Sequence, residues 1–148
     1  DHAERAKASY AELLQLVDLD TDAFNRVMDA FGLPKGTEAE EAARKAAIQE
    51  ATFRAAEVPL QVMRVAYASL DVIEKMAEIG NPASVSDAGV GALCARTAVL
   101  GAHLNVRINC SSLEDKARAK ALLDEAQSIA DRAVERERAI LELVSGKL

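Results

Sequence analysis

Tryptophan is absent, proline occurs three times and glycine seven times, and aromatic residues make up only 3% of the 148 residues. So few turn formers and rings argue against a sheet protein built on frequent hairpins and aromatic cross-strand pairs. They fit helices packed closely on small side chains. Cysteine is scarce too. Cys94 and Cys110 are widely spaced and outside any Cys-x-x-Cys pattern, which excludes a disulfide framework and reads as two reduced thiols of a cytoplasmic protein. There are two histidines, one of them His2 at the start, and no Glu-x-x-His, so no metal site is expected. Basic residues are outnumbered 18 to 24, for a net charge of −6. That disfavours nucleic acid as a partner, although a local basic cluster can still hold a small anion. No run reaches the roughly 18–20 apolar residues of a membrane span, and no signal peptide is visible. The chain opens "DHAERAK" without Met, as a processed product or a piece of a longer chain would.

What is present is helical periodicity. The pattern predicts one all-α domain over residues 1–148, with four helices and no strand. The first helix runs from about Glu4 to Phe31 and stops at "GLPKG". The second starts at Thr37, where "TEAE" is a capping box, and continues to about Ile79, a rod of roughly 60 Å. Pro59 removes a backbone donor inside it and is expected to kink it. "IGNPAS" is a stop, with Gly80 expected in the left-handed C′ position. The third helix begins near "SVSD", capped by Ser84 or Ser86, and runs to about Asn109. Its interior glycines, Gly89, Gly91 and Gly101, each cost about 1 kcal/mol relative to Ala and call for a close neighbour. The fourth starts at "SLED", read as a second capping box from Ser112 to Asp115, and reaches the end. Two long helices among four suggest an antiparallel bundle, and the apolar surface of a 40-residue helix is too large for one copy to cover, so a homodimer or higher homo-oligomer is expected.

Three acids alternate in "LVDLDTDAF". At about 100° per residue, Asp18 and Asp22 fall on the polar face of the first helix with Glu12 and Gln15. Asp20 falls in the apolar stripe, between Val17, Phe24 and Val27. A carboxylate in an apolar stripe costs several kcal/mol unless it is paired, bonded or protonated, and a carboxyl in a partly dry site suits general acid–base chemistry. Two structural readings compete: Asp20 caps a broken helix, or it pairs with an Arg from another helix.

Other polar residues are candidates for the same site. Asn105 and Asn109, in "NVRIN", share a helix face beside Arg107, although an Asn also suits a helix terminus. Asp87 lies in the first turn of its helix, where it either stabilises the dipole or binds a ligand. Lys35, Arg44 and Lys45 form a small basic cluster, either solvated surface or an anion subsite.

The stretch "LVDLDTDAFNRVMDAFGLPKGTEAEEAARKAAIQEAT", then "EVPLQV", "GNPASVSDAGV" and "NVRIN", in this order, resembles the formiminotetrahydrofolate cyclodeaminase and methenyltetrahydrofolate cyclohydrolase family from about Leu13 to Asn109. The resemblance implies an all-helical homodimer acting on tetrahydrofolate one-carbon units. Such an enzyme closes formiminotetrahydrofolate to methenyltetrahydrofolate with loss of ammonia, or hydrolyses methenyltetrahydrofolate to formyltetrahydrofolate. It implies Asp20 as the catalytic acid–base. Asn105, Asn109 and Asp87 would contact the pterin or the bridging carbon, and Lys35, Arg44 and Lys45 the glutamate tail. No cofactor beyond the tetrahydrofolate substrate is implied, and a formiminotransferase is a possible separate partner. Family members carry an upstream helix with a "PGGGS"-like turn, and nothing in this sequence matches it. A non-catalytic dimeric helical module with the same fold is the competing expectation.

Overall fold

The computed structural model describes all 148 residues, from Asp1 to Leu148. It holds four α-helices, α1 (His2–Phe31), α2 (Glu38–Ile79), α3 (Val85–Ser111) and α4 (Lys116–Ser145), with one 3₁₀ turn at Pro82–Ser84. No strand is present, and short connections make each successive pair antiparallel, the all-α bundle expected from the sequence.

The predicted start of α2 forms as its residues dictate. The Thr37 hydroxyl accepts the Glu40 amide at 3.2 Å, and the Glu40 carboxylate accepts the Thr37 and Gly36 amides at 3.0 and 2.9 Å. Three other boundaries differ from expectation. Gly80 is extended, at φ −71° and ψ −178°, and not left-handed; glycine is needed there because a Cβ would collide with the Met76 carbonyl oxygen. Ser84 precedes α3 without a side-chain cap, and Asn81 instead accepts the Ala83 amide to close the 3₁₀ turn. Asp115, not Ser112, caps α4, accepting the amides of Ala117 and Arg118. Ser and Asp compete for the same orphan amides, and the ionised acceptor next to the helix start wins.

α2 is the spine. α3 and α4 pack on it and on each other, whereas α1 packs on α2. The core lies among α2, α3 and α4, where Leu60, Met63, Leu70, Val99, Val106 and Ile140 are essentially fully buried. α2 runs through Pro59 as one helix. Proline has no N–H, so the Ala55 carbonyl, four residues back, has no helical donor. The Asn109 side-chain amide of α3 donates to that carbonyl at 3.0 Å. The break that proline would impose is thereby offset across the helix interface, and α3 is pinned to α2 at that level.

Gly89 admits α4: a Cβ there would sit 3.3 Å from the Val144 side chain. At the far end Gln49 clasps the α3–α4 connection, donating to the Ser112 carbonyl at 3.1 Å and accepting the Glu114 amide at 2.8 Å. Arg136 of α4 binds Asp71 and Glu74 of α2, and Arg5 of α1 joins the same Asp71 at 3.0 Å. The Arg136 guanidinium holds the Asp71 carboxyl below the ordinary carboxylate range, against the opposing effect of burial.

His103 is buried on the α4 side of α3. Burial, reinforced by the Arg107 charge, pushes its imidazole below the ordinary histidine value of 6.5, with Asp131 acting weakly the other way. The folded state therefore binds this proton less readily than the unfolded chain, so the contribution is intact above pH of about 6.5 and is lost as pH falls below it. Urea unfolding is expected to show stability declining as pH drops from 7 towards 5, with a shallower decline in His103→Gln. Thr37→Ala is expected to cost about 1 kcal/mol in the same measurement.

Candidate functional site

α1 carries two apolar lines, and only one is packed. The line covered by α2 is Leu16, Ala23 and Ala30. The bulkier line, Tyr10, Leu14, Val17, Phe24, Met28 and Phe31, faces solvent with half to two-thirds of each side chain exposed. Asp20 lies on the rim between them, in the heptad series Leu13, Asp20, Val27, and is exposed. The expectation of an inward-pointing carboxylate is thus corrected. The wheel identified a real apolar stripe, but small side chains allow α2 to approach on the neighbouring one. Asp20 neither breaks nor caps α1, which continues past it, and it has no ion-pair partner.

Cross-helix contacts fix the levels. Arg5 meets Asp71 and Glu12 meets Gln61, so Asp20 is level with about Ala55 of α2. Ala55 is the residue that Asn109 binds. Asp20 and Asn109 therefore flank α2 at one height, with Asn105 one turn along α3 and exposed. Asp20 and Asn105 are both exposed, on the two helices that pack against α2 at this height. One of the two Asn109 amide hydrogens is committed to the bundle, leaving its carbonyl and second hydrogen available.

The remaining candidates are not brought to this point. Asp87 stands about 33 Å from Asn109 along α3, at 1.5 Å per residue. It lines a cavity of about 310 Å³ at the α2–α3 turn with Ile73, Met76, Asn81 and Ser84. Lys35, Arg44 and Lys45 share a surface recess beyond the end of α1, about 15 Å from the Asp20 level. Within it Arg44 is occupied, donating twice to the Phe31 carbonyl at 3.2 and 3.1 Å as a C-cap of α1. Lys45 pairs with Glu114 at 2.9 Å. Lys35 makes no ion pair.

Sequence reasoning missed a second recess, of about 330 Å³, on the flank of α1 away from Asp20. Arg26, Arg54 and Arg64 line it with Asp22 and Glu57. Arg54 is bound by Glu50 and Glu57 and Arg64 by Glu125, so Arg26 is its unpaired cation. Helical spacing between Asp22 and Arg26 was the available signal. Asn81 and Ser84 were also missed as neighbours of Asp87, though the polar run "GNPASVSD" contains both. No helix is long and apolar enough to cross a membrane.

Comparison with known proteins gives a consistent picture. The family model for formiminotransferase-cyclodeaminase matches residues 1–128. A methenyltetrahydrofolate cyclohydrolase of Methylorubrum extorquens is 39% identical over 145 residues, 98% of this chain and 70% of that protein. A formimidoyltransferase-cyclodeaminase of Dictyostelium discoideum is 36% identical over 128 residues; the match takes in 86% of this chain but only 23% of that longer protein. The crystal structure of formiminotetrahydrofolate cyclodeaminase from Thermotoga maritima superposes with a TM-score of 0.84 at 26% identity, covering 97% of this chain and 67% of that one.

The two asparagines separate by experiment. Asn109→Ala leaves the Ala55 carbonyl without a donor and is expected to cost about 1–3 kcal/mol in thermal or chemical unfolding. Asn105→Ala, at an exposed position, is expected to stay within about 0.5 kcal/mol of the parent.

Proposed function

Because the chain belongs to the formiminotransferase-cyclodeaminase family, we propose that it is an enzyme of folate one-carbon metabolism whose reaction centre is the carbon bridging two tetrahydrofolate nitrogens. The observation that carries this reading is the 39% identity to a methenyltetrahydrofolate cyclohydrolase over 98% of the chain. It favours hydrolysis of methenyltetrahydrofolate to formyltetrahydrofolate. Closure of formiminotetrahydrofolate with loss of ammonia is the second reading, favoured by the fold shared with the Thermotoga maritima cyclodeaminase.

Asp20 is the acid–base in both. In hydrolysis its carboxylate takes a proton from water as the oxygen bonds to the bridge carbon, giving a tetrahedral hydroxyl intermediate. That intermediate collapses to the formyl group as one carbon–nitrogen bond breaks, the departing nitrogen gains a proton, and the hydroxyl loses one. In cyclodeamination the second folate nitrogen adds to the formimino carbon and loses its proton, and the same carboxyl gives a proton to the amino group as its bond to that carbon breaks and ammonia leaves. The exposed apolar side chains Val17 and Phe24 beside Asp20 offer a face for the ring system. Asn105, with the free half of the Asn109 amide, offers paired donors and acceptors at the height of Asp20. Lys35, with Lys45 and Arg44 in the same recess, supplies positive charge for an anionic glutamate tail. Asp87, about 33 Å along α3 from this level, accepts a donor only from a ligand that enters its own cavity at the α2–α3 turn.

The assembly we propose is a cytoplasmic homodimer that needs no cofactor beyond its tetrahydrofolate substrate. In the second reading a formiminotransferase supplies the substrate, as the compound name of the longer Dictyostelium discoideum relative suggests.

Following the methenyl absorbance tests the reading. The chain is expected to accelerate its decay, Asp20→Asn to lower kcat by about 10²–10⁴-fold, and Lys35→Ala to raise KM with kcat preserved. A purified, folded chain that neither binds a tetrahydrofolate derivative nor turns one over overturns it.

A further inference from the structure

Arg107 is the one polar residue of "NVRIN" that the folate reading leaves unused. Two residues from Asn105, it stands about 200° round the helix from it. There, with Lys116 and Lys120 of α4, it lines a recess of about 380 Å³ where α3 gives way to α4. Three cations share this recess with one carboxylate, Asp124, in a chain whose acids outnumber its bases 24 to 18. We propose that the recess binds a small phosphate monoester, at a site separate from the folate site and independent of the folate reading.

Three observations carry this. The first is unspent charge. Asp124 is engaged by Lys120, and Lys116 gives one proton to the Leu113 carbonyl at 2.6 Å, so each ammonium keeps further donors. Arg107 has no ion-pair or hydrogen-bond partner, and its whole guanidinium fork is free. One carboxylate against three cations leaves an excess of two positive charges. A phosphate monoester carries close to two negative charges at pH 7, and a planar fork beside two ammonium point charges is a donor set suited to its oxygens. The second is placement. Lys116, Lys120 and Leu123 fall at i, i+4 and i+7 of α4, and Arg107 and Cys110 at i and i+3 of α3, so each helix turns one stripe to the recess. The two helices, joined by a short connection, hold these like charges near one another, and a bound anion relieves their repulsion. The third is the wall. Cys110, only 2% exposed, and the partly buried Leu123 give the recess apolar surface. Its volume is at the low end for small-molecule sites, with room for the organic part of an ester. Burial pushes the Cys110 thiol above its ordinary range, so it stays neutral and does not compete with the anion.

His103, one turn before Arg107 on α3, reports on the recess. Burial and then the Arg107 charge hold its imidazole low, with Asp131 opposing, and an anion seated against Arg107 offsets that charge. The experiment is a proton NMR titration of the His103 ring in the whole chain, the His2 signal being identified with His2→Gln. Glycerol 3-phosphate serves as a minimal monoester, against sodium chloride of equal ionic strength. The His103 midpoint is expected to move to higher pH in glycerol 3-phosphate, and not in L-glutamate at the same concentration. Arg107→Gln, at an exposed position, is expected to keep its helical circular dichroism, to raise the midpoint already in chloride, and to abolish the response. Lys120→Gln is expected to need about tenfold more ester for the same response. A midpoint that does not move overturns the proposal. So does one that moves equally in L-glutamate, that still moves in Arg107→Gln, or that returns when a tetrahydrofolate derivative is added. The readout requires no turnover, so failure of methenyl hydrolysis in the same samples bears on the folate reading alone.

Discussion

The hydrogen bond from the Asn109 side chain to the Ala55 carbonyl is the interaction on which the placement of everything else depends. Pro59 sits in the buried middle of a 42-residue helix, where a missing donor ordinarily breaks or bends the rod. Supplying that donor from α3 allows α2 to span the whole molecule and ties the height of α3 to the height of α2. Because α1 packs on the same stretch of α2, the bond also sets which residues of α1 and α3 stand level. Asp20 and the asparagines share a height through this chain of contacts, not through proximity in sequence.

The fold was legible because its signals are local. The Thr37–Glu40 box, the Gly-Pro stops and the amphipathic pattern of α1 and α4 each involve neighbours within one or two turns. The same locality explains the boundary errors. Gly80 and Asp115 do the jobs of stopping and starting a helix, but the backbone shape at Gly80 and the choice of Asp115 over Ser112 depend on which group reaches the orphan amide or carbonyl first. The compensation of Pro59 was invisible in the sequence, since it joins residues 54 apart.

The site was legible only in part, and Asp20 shows why. A helical wheel reports an angle from other residues on the same helix and carries no information about where the neighbouring helix lies. On α1 the packed line holds one leucine and two alanines and the exposed line is bulkier throughout, the reverse of the usual expectation that bulk marks the core. Arg44 and Lys45 were visible as charge, but the Phe31 carbonyl and Glu114 that occupy them come from distant segments.

The position of α1 has a consequence for motion. It is held to the rest of the molecule through one neighbour, by Leu16, Ala23 and Ala30 and a few surface pairs such as Arg5 with Asp71, whereas α2, α3 and α4 share a common core. Segments with few buried contacts open locally at a lower free energy than the global transition. α1 is therefore the unit whose amides exchange first with deuterated solvent, and the helix bearing Asp20 is also the one most easily lifted away to admit and release a bulky ligand.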